Sequence, residues 1–172
     1  MNNSKFRCKN LRIGRQSTPD QIYMITTVTH ERRKLFDDFS SGRLVVRALQ
    51  TIEPSAETLA FVVMPDHMHW LMQLKNRYSL SQTIQYVKSY SARTINTEMN
   101  RKGAIWSKGY FEHALRREED VISCARYIVA NPLRAGLVEQ IGDYPLLGCE
   151  MVGGLKIKKT RPEVAATRYS CL

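Results

Sequence analysis

The sequence predicts an α+β fold, a ferredoxin-like (RRM-like) sandwich built on a central antiparallel sheet. Two observations lead there. Short segments rich in β-branched and aromatic residues alternate with longer ones whose apolar residues recur at helical spacing. Their order is β-α-β-β-α-β followed by a further helix. The chain of 172 residues is also long enough for one domain with a real core and too short for two ordinary ones.

Residues 1–19 are polar, basic and aperiodic, the pattern of an arm. Residues 21–29 (Gln-Ile-Tyr-Met-Ile-Thr-Thr-Val-Thr) read as a strand, and a charged turn follows at 30–34. Over 38–53, Leu44, Val45, Ala48, Leu49 and Ile52 share one helical face. Residues 59–64 form a second strand, and Pro65-Asp66 turns the chain sharply into a third at 67–74. A long helix spans 79–99, with Leu80, Ile84, Val87 and Ile95 as its apolar positions and Ser79 or Ser81 as N-cap. Tyr86, Lys88, Tyr90 and Arg93 occupy its other side. A fourth strand falls within 111–116, after Ile105-Trp106 and the Lys108-Gly109 turn. Arg117-Glu118-Glu119-Asp120 then places acids in a helix first turn, where the macrodipole favours them. This helix is expected to stop near Ala130, because Pro132 disfavours the helical conformation at Asn131. The helices are expected on one face of the sheet. After Tyr144-Pro145 periodicity is lost, so the folded domain is expected over 20–148, with a flexible tail over 149–172.

Composition bounds the function. At 43% hydrophobic and 24% charged residues, with no apolar run near the roughly 20 residues that span a bilayer, the chain reads as a globular protein without membrane contact. The N-terminus lacks the apolar core of a signal peptide, which makes the cytoplasm, at the nucleoid, the expected location. Cys8, Cys124, Cys149 and Cys171 show no CxxC spacing and are expected as reduced, unrelated thiols. The net charge of +10 is uneven: Lys5, Arg7, Lys9, Arg12 and Arg15 have no acid among them. A polyanion partner fits that distribution, and so does a solvated basic surface.

The chemistry concentrates at Met64-Pro65-Asp66-His67-Met68-His69-Trp70. Strand side chains alternate faces, so His67 and His69 point one way while Met68 and Trp70 point the other. Such a pair reads as surface histidines, as part of a zinc site, or as ligands for Mg²⁺ or Mn²⁺ in phosphoryl transfer. Asp66 serves the turn or supports the pair, the turn being the more ordinary role. On the last predicted helix, Asp120, Ser123, Tyr127 and Asn131 form a polar stripe opposite Val121, Ala125, Ile128 and Val129. Tyr127 there is a surface residue or a nucleophile, its phenol needing a base or a cation to ionise at pH 7. Asn131, one turn on, offers a carbonyl oxygen beside the two imidazoles. Together these residues describe a metal-assisted tyrosine nucleophile acting on a phosphodiester.

Residues 62–71, 105–116 and 127–138 carry three motifs, in order, that resemble the single-tyrosine His-hydrophobe-His (HUH) transposases of insertion-sequence type, and among them the REP-associated tyrosine transposases. The likeness runs from about Gln21 to Tyr144. It implies the HUH nuclease type of sandwich and a single-stranded DNA endonuclease and strand-transferase working through a 5′-phosphotyrosine. By the same motifs His67 and His69 are metal ligands, Tyr127 is the nucleophile, and Asn131 stands at the third ligand position, which holds Gln in some relatives. The implied cofactor is Mg²⁺ or Mn²⁺. The implied partner is single-stranded or hairpin DNA of repetitive extragenic palindromes, bound by a monomer or a homodimer. Tyr110 is a rival nucleophile, read as core or base-stacking. Tyr86 and Tyr90 are further stacking candidates. His113, Glu112, Arg116, Arg117 and the arm residues Lys5, Arg7, Lys9, Arg12 and Arg15 are candidate DNA contacts or structural and surface residues. Two other functions compete: a non-catalytic DNA-binding module on the same sandwich, and a zinc hydrolase, which the absence of HExxH disfavours.

Overall fold

The computed structural model describes residues 17–116 and 118–149, and of Glu118 and Glu119 only the backbone. The arm residues Lys5, Arg7, Lys9, Arg12 and Arg15, Arg117 and the tail beyond Cys149 lie outside the described residues. The elements run β1 (Ile22–Val28), α1 (Phe39–Thr51), β2 (Ala56–Met64), β3 (His67–Leu74), α2 (Leu80–Glu98), β4 (Phe111–Leu115), α3 (Glu118–Arg134) and β5 (Leu147–Cys149). The strands form one antiparallel sheet in the order β4-β1-β3-β2-β5, which establishes the expected α+β fold. Among the described residues no helix is long and apolar enough to cross a membrane, and Cys124 and Cys149 form no disulfide.

Local chemistry explains the elements. Asp38 caps α1, its carboxylate accepting from the Ser41 amide at 2.9 Å. Ser79 caps α2 in a capping box completed by Gln82. The β2–β3 hairpin closes at the Met64–His67 pair with Pro65-Asp66 as its loop. That loop is braced from outside: the Thr29 amide donates to the Asp66 carbonyl at 2.9 Å and the Phe36 amide to the Pro65 carbonyl at 3.0 Å.

Four expectations need correction. First, β2 starts at Ala56 rather than Leu59, because the register shifts between Thr58 and Ala60 and breaks the alternation a strand is recognised by. Second, a fifth strand not expected from the sequence, β5, pairs with β2 at the sheet edge; its Leu-Gly-Cys is too short to show periodicity. Third, α3 does not stop at Ala130 but continues to Arg134 with Pro132 inside it. A proline removes one ladder bond, and here the helix is near its end anyway. The stop is a Schellman motif at Gly136, whose φ of 67° suits glycine: the Gly136 amide donates to Leu133 and the Leu137 amide to Pro132, both at 3.0 Å.

Fourth, the helices do not share a face. α1 and α2 pack with Tyr23, Ile25, Met68, Trp70, Met72 and Leu74. On the opposite face α3 lays Ala125 and Ile128 over Leu59, Ala60, Val62, Met64, Leu71 and Leu115. Among the described residues, three α-helices on a five-stranded sheet therefore leave one face doubly covered and the other singly covered.

Candidate active site

The singly covered face holds the site. In β3 the residues at 68, 70, 72 and 74 belong to the α1/α2 core, so the pleat turns His67 and His69 towards α3. The predicted pairing of the two histidines is met. Their ring centroids lie 4.9 Å apart, edge to face at 81°. The Tyr127 ring from α3 stands 5.7 Å from that of His69. A strand of period two and a helix of period 3.6 thus meet where each presents its polar stripe.

Each imidazole is held at Nδ1 by a different neighbour. Asp66 Oδ1 lies 2.6 Å from Nδ1 of His67, while Asp66 Oδ2 accepts from Arg32 at 3.1 Å. Glu31 and Arg32 both adopt left-handed φ angles, 57° and 50°, each costing about 1–2 kcal/mol. Burial pushes the Asp66 carboxyl upward, but the bonds from His67 and Arg32 outweigh it and hold the group below its ordinary value. Asp66 therefore supports the histidine as well as making the turn, the role rated less ordinary on sequence grounds. His69 pairs directly with Thr26 across β1 and β3, and Thr26 Oγ1 sits 2.8 Å from His69 Nδ1. Burial first, then the charge on His67, pushes the His69 pKa down to about 4, so the ring is neutral at pH 7.

With the proton of the neutral His69 ring on Nδ1, facing Thr26, its Nε2 keeps its lone pair, and His67 likewise turns Nδ1 to Asp66 and keeps Nε2 clear of it. That donor set fits a divalent cation, for metal-binding histidines characteristically give their second nitrogen to a carboxylate or oxygen partner. Among the described residues no three His, Cys, Asp or Glu side chains converge as a cation cluster. An ion here would add ligands of another kind to the imidazoles. Asn131 is on α3 one turn beyond Tyr127, and its side-chain amide donates to the Tyr127 carbonyl at 2.8 Å. That bond joins Asn131 to Tyr127 and leaves its Oδ1 as the acceptor.

Tyr127 is 39% exposed, enough for its hydroxyl to meet a ligand. The Arg134 guanidinium packs over its ring at 4.8 Å from the centroid, a cation–π contact. Sequence reading assigned Arg134 no role, although seven residues along a helix return to nearly the same face. Thr26 and Arg32 were also missed: Thr26 is found only by knowing the strand register, and Arg32 only by the fold of the segment after β1.

The other candidates separate by face. His113 is exposed on β4 and points to the α3 side, since its cross-strand partner is Met24. Arg116 is exposed just past β4. Glu112 pairs with Ile25 and so faces the α1/α2 side. Tyr110 and Tyr90 pack against the α1/α2 core, and Tyr86 stacks on Tyr90 at 5.9 Å. None of these three tyrosines joins the histidine pair; the sheet lies between. Tyr110 is core-packed, as one of its two readings had it.

An α+β sandwich with paired histidines and a helix tyrosine on one sheet face is the layout anticipated for single-tyrosine transposases. Comparison with known proteins agrees. The family described as "Transposase IS200 like" matches residues 17–131. A Haemophilus influenzae protein assigned as a REP-associated tyrosine transposase is 32% identical over 144 aligned positions, 76% of this chain and 81% of that protein. The REP-associated tyrosine transposase of Escherichia coli is 30% identical over 90, or 52% of each chain. The solved structure of a REP-associated tyrosine transposase bound to a REP hairpin shares the fold, with a TM-score of 0.64 at 23% identity, covering 77% of this chain and 79% of that one. The chain belongs to the IS200-like transposases, a family of DNA-processing enzymes, in the REP-associated tyrosine branch.

Proposed function

We propose that this protein cleaves and rejoins single-stranded DNA beside palindromic hairpins, with Tyr127 as nucleophile. The observation that carries the reading is the 5.7 Å approach of the Tyr127 ring to His69, within a histidine pair whose Nδ1 atoms are both engaged. The phenolic oxygen bonds to phosphorus as the bond from phosphorus to the 3′-oxygen breaks. The phenolic proton passes to solvent, and the departing 3′-oxygen takes up a proton. The products are a 5′-phosphotyrosine and a free 3′-OH, and attack of a 3′-OH on that ester reverses the step without an external energy source. Arg134 holds the ring of Tyr127 in place and sets a fixed positive charge beside it.

His67, His69 and the Asn131 oxygen would hold Mg²⁺ or Mn²⁺, which when bound supplies charge neutralisation at a phosphate oxygen. Asp66 and Thr26 keep the two rings oriented for that role. Hairpin DNA as the partner is supported by family membership and by the hairpin bound to the related transposase. The basic arm Lys5–Arg15 and the exposed Arg116 would meet phosphates, and the work would be done at the nucleoid.

The test is to incubate the protein and a divalent ion with an end-labelled hairpin carrying single-stranded flanks, then resolve the products under denaturing conditions. A covalent adduct should form with wild type and vanish in Tyr127→Phe, while hairpin affinity stays near wild type. An adduct that survives Tyr127→Phe, or cleavage with no adduct at all, would overturn the assignment.

A further inference from the structure

Phe111 is 64% exposed, yet it sits in a regular strand on the face of the sheet that holds the site. It belongs to neither core. Its direct partner across β4 and β1 is Thr26, whose own partner across β1 and β3 is His69. Residues paired this way share a face, so Phe111, Thr26 and His69 form one row. Two strand spacings, roughly 10 Å, separate the ring's backbone from that of His69. His113 is exposed two residues along the same strand and on the same side, roughly 7 Å further on at the rise of an extended chain. β4 is the sheet edge. The far end of its α3 side is closed where Leu115 is buried under α3, and the Phe111 end is open.

We propose that Phe111, with His113 beside it, is a stacking platform for unpaired bases of single-stranded DNA that lead into the Tyr127 site. This rests on the reading of that site as one acting on single strands. A flat apolar ring held on a strand accepts the π-face of any unpaired base, whereas duplex bases have both faces covered by their neighbours. Exposed Lys108 and Arg116 bracket β4 and suit the phosphates of such a strand. The platform is rigid. Lys88 donates to the carbonyls of Ser107 and Gly109 at 2.8 and 2.6 Å, and Ser107 Oγ donates to the Thr29 carbonyl at 2.8 Å. The segment entering β4 is therefore tied both to α2 and to the end of β1.

The experiment uses the full chain in the Tyr127→Phe background, which removes covalent chemistry. The probes are oligo-dT carrying a single 2-aminopurine and a duplex of equal length. Phe111→Ala should weaken oligo-dT binding about 5- to 150-fold and abolish the 2-aminopurine quench, leaving duplex affinity unchanged. Phe111→Trp should restore both. Equal oligo-dT affinity with and without the ring, or an equal loss on duplex, overturns the platform. Adduct formation by the Tyr127-containing protein is scored separately. With Phe111 in place, adducts without a 2-aminopurine quench overturn the platform alone, and a quench without adducts overturns the reading of Tyr127 alone.

Discussion

The two faces of the sheet follow different rules. Along β1, the residues facing α1 and α2 are buried while those facing α3 are half-buried, in strict alternation. On β3, Met68, Trp70 and Met72 are sealed beneath two helices, and on the other side His67 and His69 meet one helix and its tyrosine. The doubly covered face is ordinary core, where apolar side chains supply most of the stability. The singly covered face gives up part of that burial across β4, β1 and β3. The gap is where polar side chains can be held by neighbours and still reach a ligand. Stability and chemistry are separated by the thickness of a sheet, and residues two apart on β3 serve the same side.

The sharpest way to break this comparison is to exchange damage between faces. Trp70→Ala empties a fully buried site and strands the hydroxyl of Thr58, which now accepts from the indole at 3.1 Å. It should cost about 3–5 kcal/mol by denaturant unfolding. Tyr127→Phe on the opposite face should leave the unfolding midpoint unchanged while removing adduct formation. If Tyr127→Phe also destabilises markedly, the two faces are not separable.

Next in size, Thr26→Val keeps the β-branched strand residue but removes the oxygen beside His69 Nδ1. Loss of such outer partners typically costs 10–100-fold in metal affinity or activity. Titration with Mn²⁺ should show weakening on the order of that range, with little change in melting temperature. An unaltered affinity would mean that Thr26 does not orient the ring.

The smallest effect is expected at the end of α3. Gly136 has a φ of 67° with no atom within 4 Å of where a Cβ would stand, so Gly136→Ala meets backbone cost alone. About 1–2 kcal/mol should be lost in a thermal or denaturant melt. No loss would argue against the Schellman stop that closes the helix carrying Tyr127 and Arg134.

Much of this was legible in the residues themselves. The period-two pleat puts His67 and His69 on one side wherever β3 lies, and the helical period puts Tyr127 and Asn131 on one stripe wherever α3 packs. Local rules misled at Pro132, where one missing amide near a helix end counts for less than the glycine that stops it. They also fell short at β2, where a register shift hides the alternation.

What the sequence determined by itself is the run of elements from β1 to α3, the polar stripes on β3 and α3, and the family motifs that link those stripes. Which sheet face receives α3 was left to the tertiary structure, because an apolar stripe states that a helix must be covered and not by what. The pairing of Thr26 with His69, the bond from Asp66 to His67, the reach of Arg32 and the placing of Phe111 in the row of the site were settled there too. Each depends on register between segments distant in the chain, and register is fixed by long-range pairing that no local pattern encodes.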